Sequence, residues 1–113
     1  MMHLFHSTSN QCSKITAETY STSFNSAIKL LHKTFRTPVY NIYGFVRFAD
    51  EIVDTFHAHD KAVLLEEFKT ETYTALERGI SLNPILHSFQ MTVKEYKIDE
   101  KLIAAFLKAW NVI

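Results

Sequence analysis

The sequence predicts an all-α protein of five or six helices, and three observations support this fold class. Only two of the 113 residues are glycine and two are proline, so turns are few and long regular elements are expected. Apolar residues recur at helical spacing along most of the chain, and strand patterns are nearly absent. The length suits one domain, and a hydrophobic content of 47% is ordinary for a globular protein.

Capping and breaking residues define the limits of the predicted helices. Pro38 and Pro84 suit the first turn of a helix, where the missing N–H of proline is not needed. Asp60 and Asp99 are suitable N-caps, and Gly79 is a suitable C-terminal stop. The predicted helices cover residues 9–19, 21–33, 38–57, 61–77, 85–96 and 100–110.

Charge and cysteine content argue against several classes of function. Twelve basic and twelve acidic side chains balance to a net charge of zero, whereas nucleic-acid-binding proteins usually carry a basic excess. We therefore expect no nucleic-acid partner. Cys12 is the only cysteine, which argues against an internal disulfide and a multi-cysteine zinc site. No secretory signal or membrane-spanning run is evident, so we expect a cytoplasmic protein; peripheral membrane contact is compatible with these features.

A narrow polar stripe on the third predicted helix is the most informative feature of the sequence. At about 100° per residue, Tyr43, Arg47, Asp50 and Asp54 fall within an arc of about 60°. Like charges four residues apart on a helix repel each other by a few tenths of a kcal/mol, so the two aspartates call for an explanation. Most other positions of this helix are apolar. The helix should therefore be largely buried, with its polar stripe facing a cleft or a restricted surface.

The residues alone leave two interpretations of this stripe open. In the first, it is a solvated face on which Arg47 pairs with Asp50 or Glu51. In the second, Asp50 and Asp54 share Mg²⁺ ions, whose other ligands are waters and substrate phosphates, and Arg47 binds the phosphate oxygens. A bound metal would remove the repulsion between the two carboxylates. For an isolated D-x-x-x-D pair, the solvated face is the commoner outcome.

Two motifs at a matched distance from each other point to a known family. Residues 40–56, which read YNIYGFVRFADEIVDTF, resemble the first aspartate-rich motif of the phytoene/squalene synthase family. Upstream, TYSTSFNSAIKLL at residues 19–31 resembles the S-x-S-F segment of that family. The resemblance covers essentially the whole chain and implies an isoprenoid-synthase-type helical fold. It also implies a Mg²⁺-dependent prenyl transferase that joins two prenyl diphosphates head to head in isoprenoid biosynthesis.

The resemblance assigns roles to the residues of the polar stripe. Asp50 and Asp54 would be the metal ligands, for Mg²⁺ or alternatively Mn²⁺. Together with Arg47 they would form the catalytic set. Arg47 and Tyr43 would line the diphosphate pocket, and Glu51 is expected to be peripheral.

The same resemblance assigns substrate contacts to the upstream segment. Ser21 and Ser23 would contact phosphate, and Phe24 would lie near the reacting carbons. Helix capping is the simpler role for the serines, and core packing is the simpler role for Phe24.

Two further groups of polar residues have simpler explanations than a site. His57 and His59 form an H-x-H pair, but no cysteine or second close histidine pair supports zinc. A small basic patch precedes Pro38 and could border the diphosphate entrance, although a solvated face explains it as well. The patch consists of Lys29, His32, Lys33 and Arg36.

The chain departs from the family pattern in one respect. Residues 1–113 contain one D-x-x-x-D pair and no second aspartate-rich motif. In family members, such a second motif supplies the other metal ligands. We therefore expect residues 1–113 to be the N-terminal portion of a single prenyl transferase domain, inactive alone and prone to self-association. A non-catalytic α-helical interaction module is the alternative. The sequence of the aspartate-rich motif favours phytoene over squalene as the product. Phytoene would be formed from geranylgeranyl diphosphate in carotenoid biosynthesis.

Overall fold

The structure, a computed structural model, describes residues 1–110 and confirms the all-α fold. Within these residues no helix is both long enough and apolar enough to cross a lipid bilayer. The six helices are α1 (Met2–Tyr20), α2 (Thr22–Ile28), α3 (Lys33–Asp54), α4 (Lys61–Arg78), α5 (Pro84–Glu95) and α6 (Glu100–Ala109).

The predicted caps of the last three helices are confirmed. The Asp60 and Asp99 carboxylates accept hydrogen bonds from backbone N–H groups in the first turns of α4 and α6, at 3.2 Å and 2.9 Å. Gly79 ends α4 with φ of 72°, a left-handed conformation that glycine adopts without strain. Pro84 is the first residue of α5. The ends of these helices differ from the predicted ones by at most one residue.

Helix α1 begins at Met2 and not at residue 9 as predicted. Its inward face is polar, and Ser9 and Ser13 are completely buried. The Ser13 and Ser88 hydroxyls are 2.7 Å apart, and this hydrogen bond joins α1 to α5. Small hydroxyl side chains therefore take the place that apolar residues usually fill between packed helices.

The second predicted helix, over residues 21–33, is shorter in the structure, because α2 ends at Ile28 and a turn separates it from α3. Because α3 begins at Lys33, Pro38 lies inside this helix and not in its first turn. Proline at an interior position removes one backbone hydrogen bond, so the start of α3 needs other support. The Arg36 guanidinium supplies it by donating to the carbonyls of Lys29 at 2.9 Å and Leu31 at 3.1 Å. These bonds tie the end of α2 to the first turns of α3.

The main hydrophobic core is formed by α3, α4, α5 and α6. Phe45 is 1% exposed and stacks on Phe89, with ring centroids 3.8 Å apart. Phe68 of α4 also stacks on Phe45, with ring centroids 5.4 Å apart. A smaller cluster joins the first three helices through Ala17, Ile28 and Tyr40. The core thus fixes α3 on its apolar side and leaves its polar stripe beside the junction of α1 and α2.

Candidate functional site

The C-terminal half of α3 carries the predicted polar stripe. Arg47 Nη2 lies 3.8 Å from Asp54 Oδ2, so these two side chains share one face of the helix. The Arg47 side chain is 22% exposed and that of Asp54 is 64% exposed. The stripe therefore runs from a half-buried position towards solvent. Helix α3 ends at Asp54 and not near His57 as predicted, which places the second aspartate on the last helical residue.

Arg47 has a closer partner in Glu51. Its Nη2 donates to Glu51 Oε1 at 2.9 Å, and the two side chains are 22% and 16% exposed. This is the ion pair that the solvated-face interpretation predicts. The Nε atom of Arg47 is buried and has no hydrogen-bond partner among the described residues. Glu51 therefore holds the guanidinium at Nη2, while the Nε–H group remains without an acceptor.

Tyr20, the last residue of α1, completes the surroundings of Arg47. The Arg47 guanidinium carbon lies 5.1 Å from the centre of the Tyr20 ring, within the range of a cation–π contact. Desolvation, followed by the nearby Glu51 carboxylate, raises the pKa of the Tyr20 hydroxyl, so it stays protonated at neutral pH. The motif comparison did not single out Tyr20. Its position directly before the S-x-S-F segment is the one signal that the sequence offered.

The fold brings the two sequence motifs together. Phe24 of α2 stacks on Tyr43 of α3 with ring centroids 4.5 Å apart. Ser21 is the N-cap of α2, and its hydroxyl accepts the Phe24 N–H at 3.1 Å, which is the capping role considered above. Ser23 is exposed in the first turn of α2. The predicted substrate-contacting segment thus lies directly against the helix that carries the aspartates.

Asp50 has a contact that the sequence did not suggest. The Trp110 indole Nε1 donates to Asp50 Oδ1 at 3.1 Å. Trp110 lies at the end of α6, 60 residues away along the chain, so only the tertiary structure reveals this pair. The bond holds one Asp50 oxygen in a fixed position beside the stripe.

Asp50 and Asp54 suit Mg²⁺ in their chemistry but supply only part of its coordination shell. Mg²⁺ is commonly held by one or two carboxylates together with waters and substrate phosphates. In residues 1–110, no group of three or more His, Cys, Asp or Glu side chains is arranged to hold a metal ion. His57 and His59 therefore belong to no such group. The residues therefore fit an ion that is shared with a bound diphosphate, and they do not form a closed protein site.

Comparison with known proteins agrees with this arrangement. A family model described as squalene/phytoene synthase matches residues 17–111, which include both motifs and every residue of the stripe. Searches among curated proteins and among solved structures each gave no match. The match spans most of the chain. The chain therefore belongs to the squalene/phytoene synthase family, whose members are prenyl transferase-type enzymes.

Proposed function

We propose that the chain binds a prenyl diphosphate at the stripe of α3, as part of a Mg²⁺-dependent head-to-head prenyl transferase. The observation that carries the proposal is the contact between the two motifs, in which Phe24 stacks on Tyr43 at 4.5 Å. Because Tyr43 precedes Arg47 by one helical turn in α3, the contact supports a site with aromatic rings at the start of the stripe. A prenyl diphosphate has the matching parts, an apolar chain attached to a highly charged head.

Arg47 would bind the diphosphate head. A guanidinium presents a planar fork of donors that matches two phosphate oxygens at once. Its position between Glu51 at 2.9 Å and Asp54 at 3.8 Å keeps the side chain extended along the stripe. We infer that, when a diphosphate binds, the Arg47 N–H groups that now face Glu51 and Asp54 donate to its oxygens instead.

Asp50 and Asp54 would hold the metal. When bound, Mg²⁺ would neutralise the charge that collects on the departing diphosphate. Trp110 orients Asp50 through its indole N–H, and the greater exposure of Asp54 leaves that carboxylate free to approach an ion from solvent. Mn²⁺, which prefers similar oxygen ligands, is the alternative ion.

Phe24 and Tyr43 would lie beside the reacting carbons. In head-to-head transfer, the bond between carbon and the diphosphate oxygen breaks and leaves an allylic cation, which the double bond of the second substrate captures. Stacked aromatic rings attract a cation through their faces and keep water away from it. Ser21 accepts one backbone N–H, so its own O–H remains available to donate to a phosphate oxygen. Ser23, exposed in the same turn, would act likewise.

We infer that geranylgeranyl diphosphate is the substrate and phytoene the product, with squalene from farnesyl diphosphate as the alternative. The sequence of residues 43–56 supports this inference. The reaction would belong to carotenoid biosynthesis. We also propose that residues 1–113 are the N-terminal portion of the catalytic domain. The single D-x-x-x-D pair in these residues supports that reading.

A second candidate function is that of a non-catalytic helical interaction module. The Arg47–Glu51 ion pair favours it, since an arginine that is already paired needs no ligand. The two candidates differ in one measurable property. An enzyme site binds diphosphate only with a divalent metal, whereas the module has no reason to bind it.

The test is to incubate the 113-residue protein with geranylgeranyl or farnesyl diphosphate and Mg²⁺, and to measure both binding and hydrocarbon product. We expect metal-dependent binding without product, because two carboxylates hold only part of the metal set. In the double variant Asp50→Asn/Asp54→Asn, which lacks both proposed metal ligands, diphosphate binding should no longer depend on Mg²⁺. Absence of binding would contradict the proposal and favour the module. Robust synthesis of phytoene or squalene would show that no second set of ligands is needed.

A further inference from the structure

The ring of Tyr20 restricts the Arg47 guanidinium from a different helix. The guanidinium carbon of Arg47, in α3, lies 5.1 Å from the centre of the Tyr20 ring, at the end of α1. An aromatic face attracts a cation, and the attraction is stronger where water is partly excluded. The Arg47 side chain is only 22% exposed, so water is partly excluded from this contact. The ring therefore limits the positions that the guanidinium can take.

The junction of α1 and α2 holds Tyr20 in place. Ser21 is the single residue between the two helices. Its backbone N–H donates to the Ala17 carbonyl at 3.0 Å and closes the last turn of α1. Its hydroxyl accepts the Phe24 N–H at 3.1 Å and caps the start of α2. Ala17 is itself completely buried in the cluster that joins the first three helices. The backbone of Tyr20 therefore has little freedom to move relative to α3.

Arg47 gains from such a restriction because its ion pairs hold it at one atom. Nη2 donates to Glu51 at 2.9 Å and lies 3.8 Å from Asp54. Nε is buried and has no hydrogen-bond partner among the described residues. A long side chain that is held at one atom keeps rotational freedom, and the loss of this freedom on ligand binding costs conformational entropy. An aromatic ring against the guanidinium removes part of that freedom before the ligand arrives.

We propose that Tyr20 is a positioning residue of the diphosphate site, whose ring holds the Arg47 guanidinium where its N–H groups can donate to phosphate oxygens. Tyr20 acts through Arg47 and needs no contact of its own with the substrate. The role belongs to the aromatic face of Tyr20 and not to its hydroxyl group. This inference rests on the proposed function, because it requires that Arg47 binds the diphosphate.

Two variants of Tyr20 separate the ring from the hydroxyl group. Isothermal titration calorimetry of geranylgeranyl diphosphate with Mg²⁺ measures the affinity of each. Tyr20→Phe keeps the aromatic face and should bind like the unmodified protein, whereas Tyr20→Leu should bind about two- to five-fold more weakly. Tyr73→Leu removes a tyrosine of similar exposure from α4 and is the matched control, which should bind normally. Circular dichroism checks that each variant keeps its helices.

A double-mutant cycle distinguishes positioning of Arg47 from a general structural role. If Tyr20 acts through Arg47, Tyr20→Leu should cause no further loss of affinity in a protein that already carries Arg47→Gln. A general structural role would weaken binding by the same factor in both backgrounds.

The Arg47 Nε–H resonance of ¹⁵N-labelled protein gives a second measurement that needs no ligand. An aromatic ring next to the guanidinium shifts this resonance through its ring current. Tyr20→Phe should therefore leave the resonance nearly unchanged, whereas Tyr20→Leu should move it.

The outcomes separate this inference from the proposed function. Normal diphosphate binding by Tyr20→Leu, equal losses in the Leu and Phe variants, or a loss that persists in full beside Arg47→Gln would overturn the inference alone. An Arg47 Nε–H resonance that does not move in Tyr20→Leu would overturn it as well. Absence of Mg²⁺-dependent binding by the unmodified protein would overturn the proposed function, and the inference with it.

Discussion

Arg47 is the residue at which the two interpretations of the stripe meet. It donates to Glu51 at 2.9 Å, as a solvated face predicts, and lies 3.8 Å from Asp54, one of the two proposed metal ligands. A diphosphate carries several charges, so it can compete with a single carboxylate for the guanidinium donors. The ion pair and the binding role are therefore compatible.

The variant Arg47→Lys tests the shape of this cation separately from its charge. Lysine keeps the positive charge but loses the planar fork, so we expect geranylgeranyl diphosphate to bind about ten-fold more weakly in the presence of Mg²⁺. Isothermal titration calorimetry provides the measurement. Arg78→Lys, at the exposed end of α4, is the matched control and should bind normally. Equal affinities for the two variants would mean that Arg47 does not contact the diphosphate.

His87 is a buried residue outside the site whose protonation state the structure determines. Its Nδ1 accepts the Ser81 N–H at 3.3 Å, so the neutral ring carries its proton on Nε2 and donates it to His6 Nδ1 at 2.8 Å. A second proton would have to sit on Nδ1, facing the Ser81 N–H. Desolvation, followed by the nearby His6, lowers the pKa of His87.

This lowered pKa predicts a loss of stability in mild acid. Below about pH 6.5 the unfolded chain binds a proton at His87 more readily than the folded chain does, so acid favours unfolding. The stabilisation is fully present above this pH and is lost as the pH falls towards the folded pKa. We expect the Tm to fall between about pH 7.5 and about pH 5.5, and His87→Gln to reduce that slope. His57→Gln, at an exposed position, should leave the slope unchanged. An identical slope in the His87 variant would contradict this account.

At the scale of elements, α1 and α3 approach each other closely at Gly44. A Cβ atom added there would lie 3.1 Å from Ser13 Oγ and 3.3 Å from Ser13 Cβ, closer than most real Cβ contacts. The absence of a side chain therefore sets the distance between the two helices. Because α1 ends at Tyr20, this packing also positions the tyrosine beside Arg47.

A larger residue at Gly44 should push α1 away from α3. We expect Gly44→Val to lower the free energy of unfolding by about 1–3 kcal/mol, since overpacking a tight contact displaces the backbone. Thermal or urea unfolding measures the change. Ala62→Val, on the exposed side of α4, carries the same β-branched side chain in a helix and should cost well under 1 kcal/mol, roughly the propensity difference. Similar losses in both variants would show that Gly44 has no special packing role.

The elements also show what the sequence can and cannot predict. Asp60, Gly79 and Asp99 act within one helical turn, so local rules located α4 and α6 almost to the residue. The starts of α1 and α3 were not predicted. The buried Ser13 bonds to Ser88 of α5, and Pro38 is tolerated inside α3 because Arg36 bonds across the turn, and local rules carry no information about either contact.

The same distinction applies to the site. Helical spacing alone predicted that Arg47 and Asp54 share a face of α3, and the 3.8 Å contact agrees. Tyr20 and Trp110 reach the stripe from α1 and from the end of α6, so their contacts depend on tertiary packing. Local pattern rules carry no information about such contacts.

On the scale of the whole molecule, an apolar groove lies between α3, α5 and α6. It encloses about 260 Å³, and every residue that lines it is apolar. At its rim Ile42 is 37% exposed and Leu102 is 66% exposed. An open apolar surface of this kind favours association, because the burial of each square ångström of apolar surface contributes about 25 cal/mol of free energy.

We therefore expect residues 1–113 to self-associate through this groove. Sedimentation velocity should show a weight-average mass that rises with protein concentration. Leu102→Ser should shift the protein towards monomer, whereas Leu82→Ser, which removes a more exposed leucine away from the groove, should not. A monomer at all concentrations would contradict this expectation.

The central claim is that the stripe of α3 is a metal-dependent diphosphate site and not merely a charged surface. Titration calorimetry of geranylgeranyl diphosphate with and without Mg²⁺ tests it most directly, using Asp54→Asn and Glu51→Gln as a matched pair of neutralised carboxylates on one helix face. We predict that Asp54→Asn weakens the Mg²⁺-dependent binding by at least about ten-fold, because it removes a metal ligand. Glu51→Gln should bind as well as the unmodified protein, since it removes only the partner of Arg47. Equal effects of the two substitutions, or binding that is indifferent to Mg²⁺, would contradict the claim.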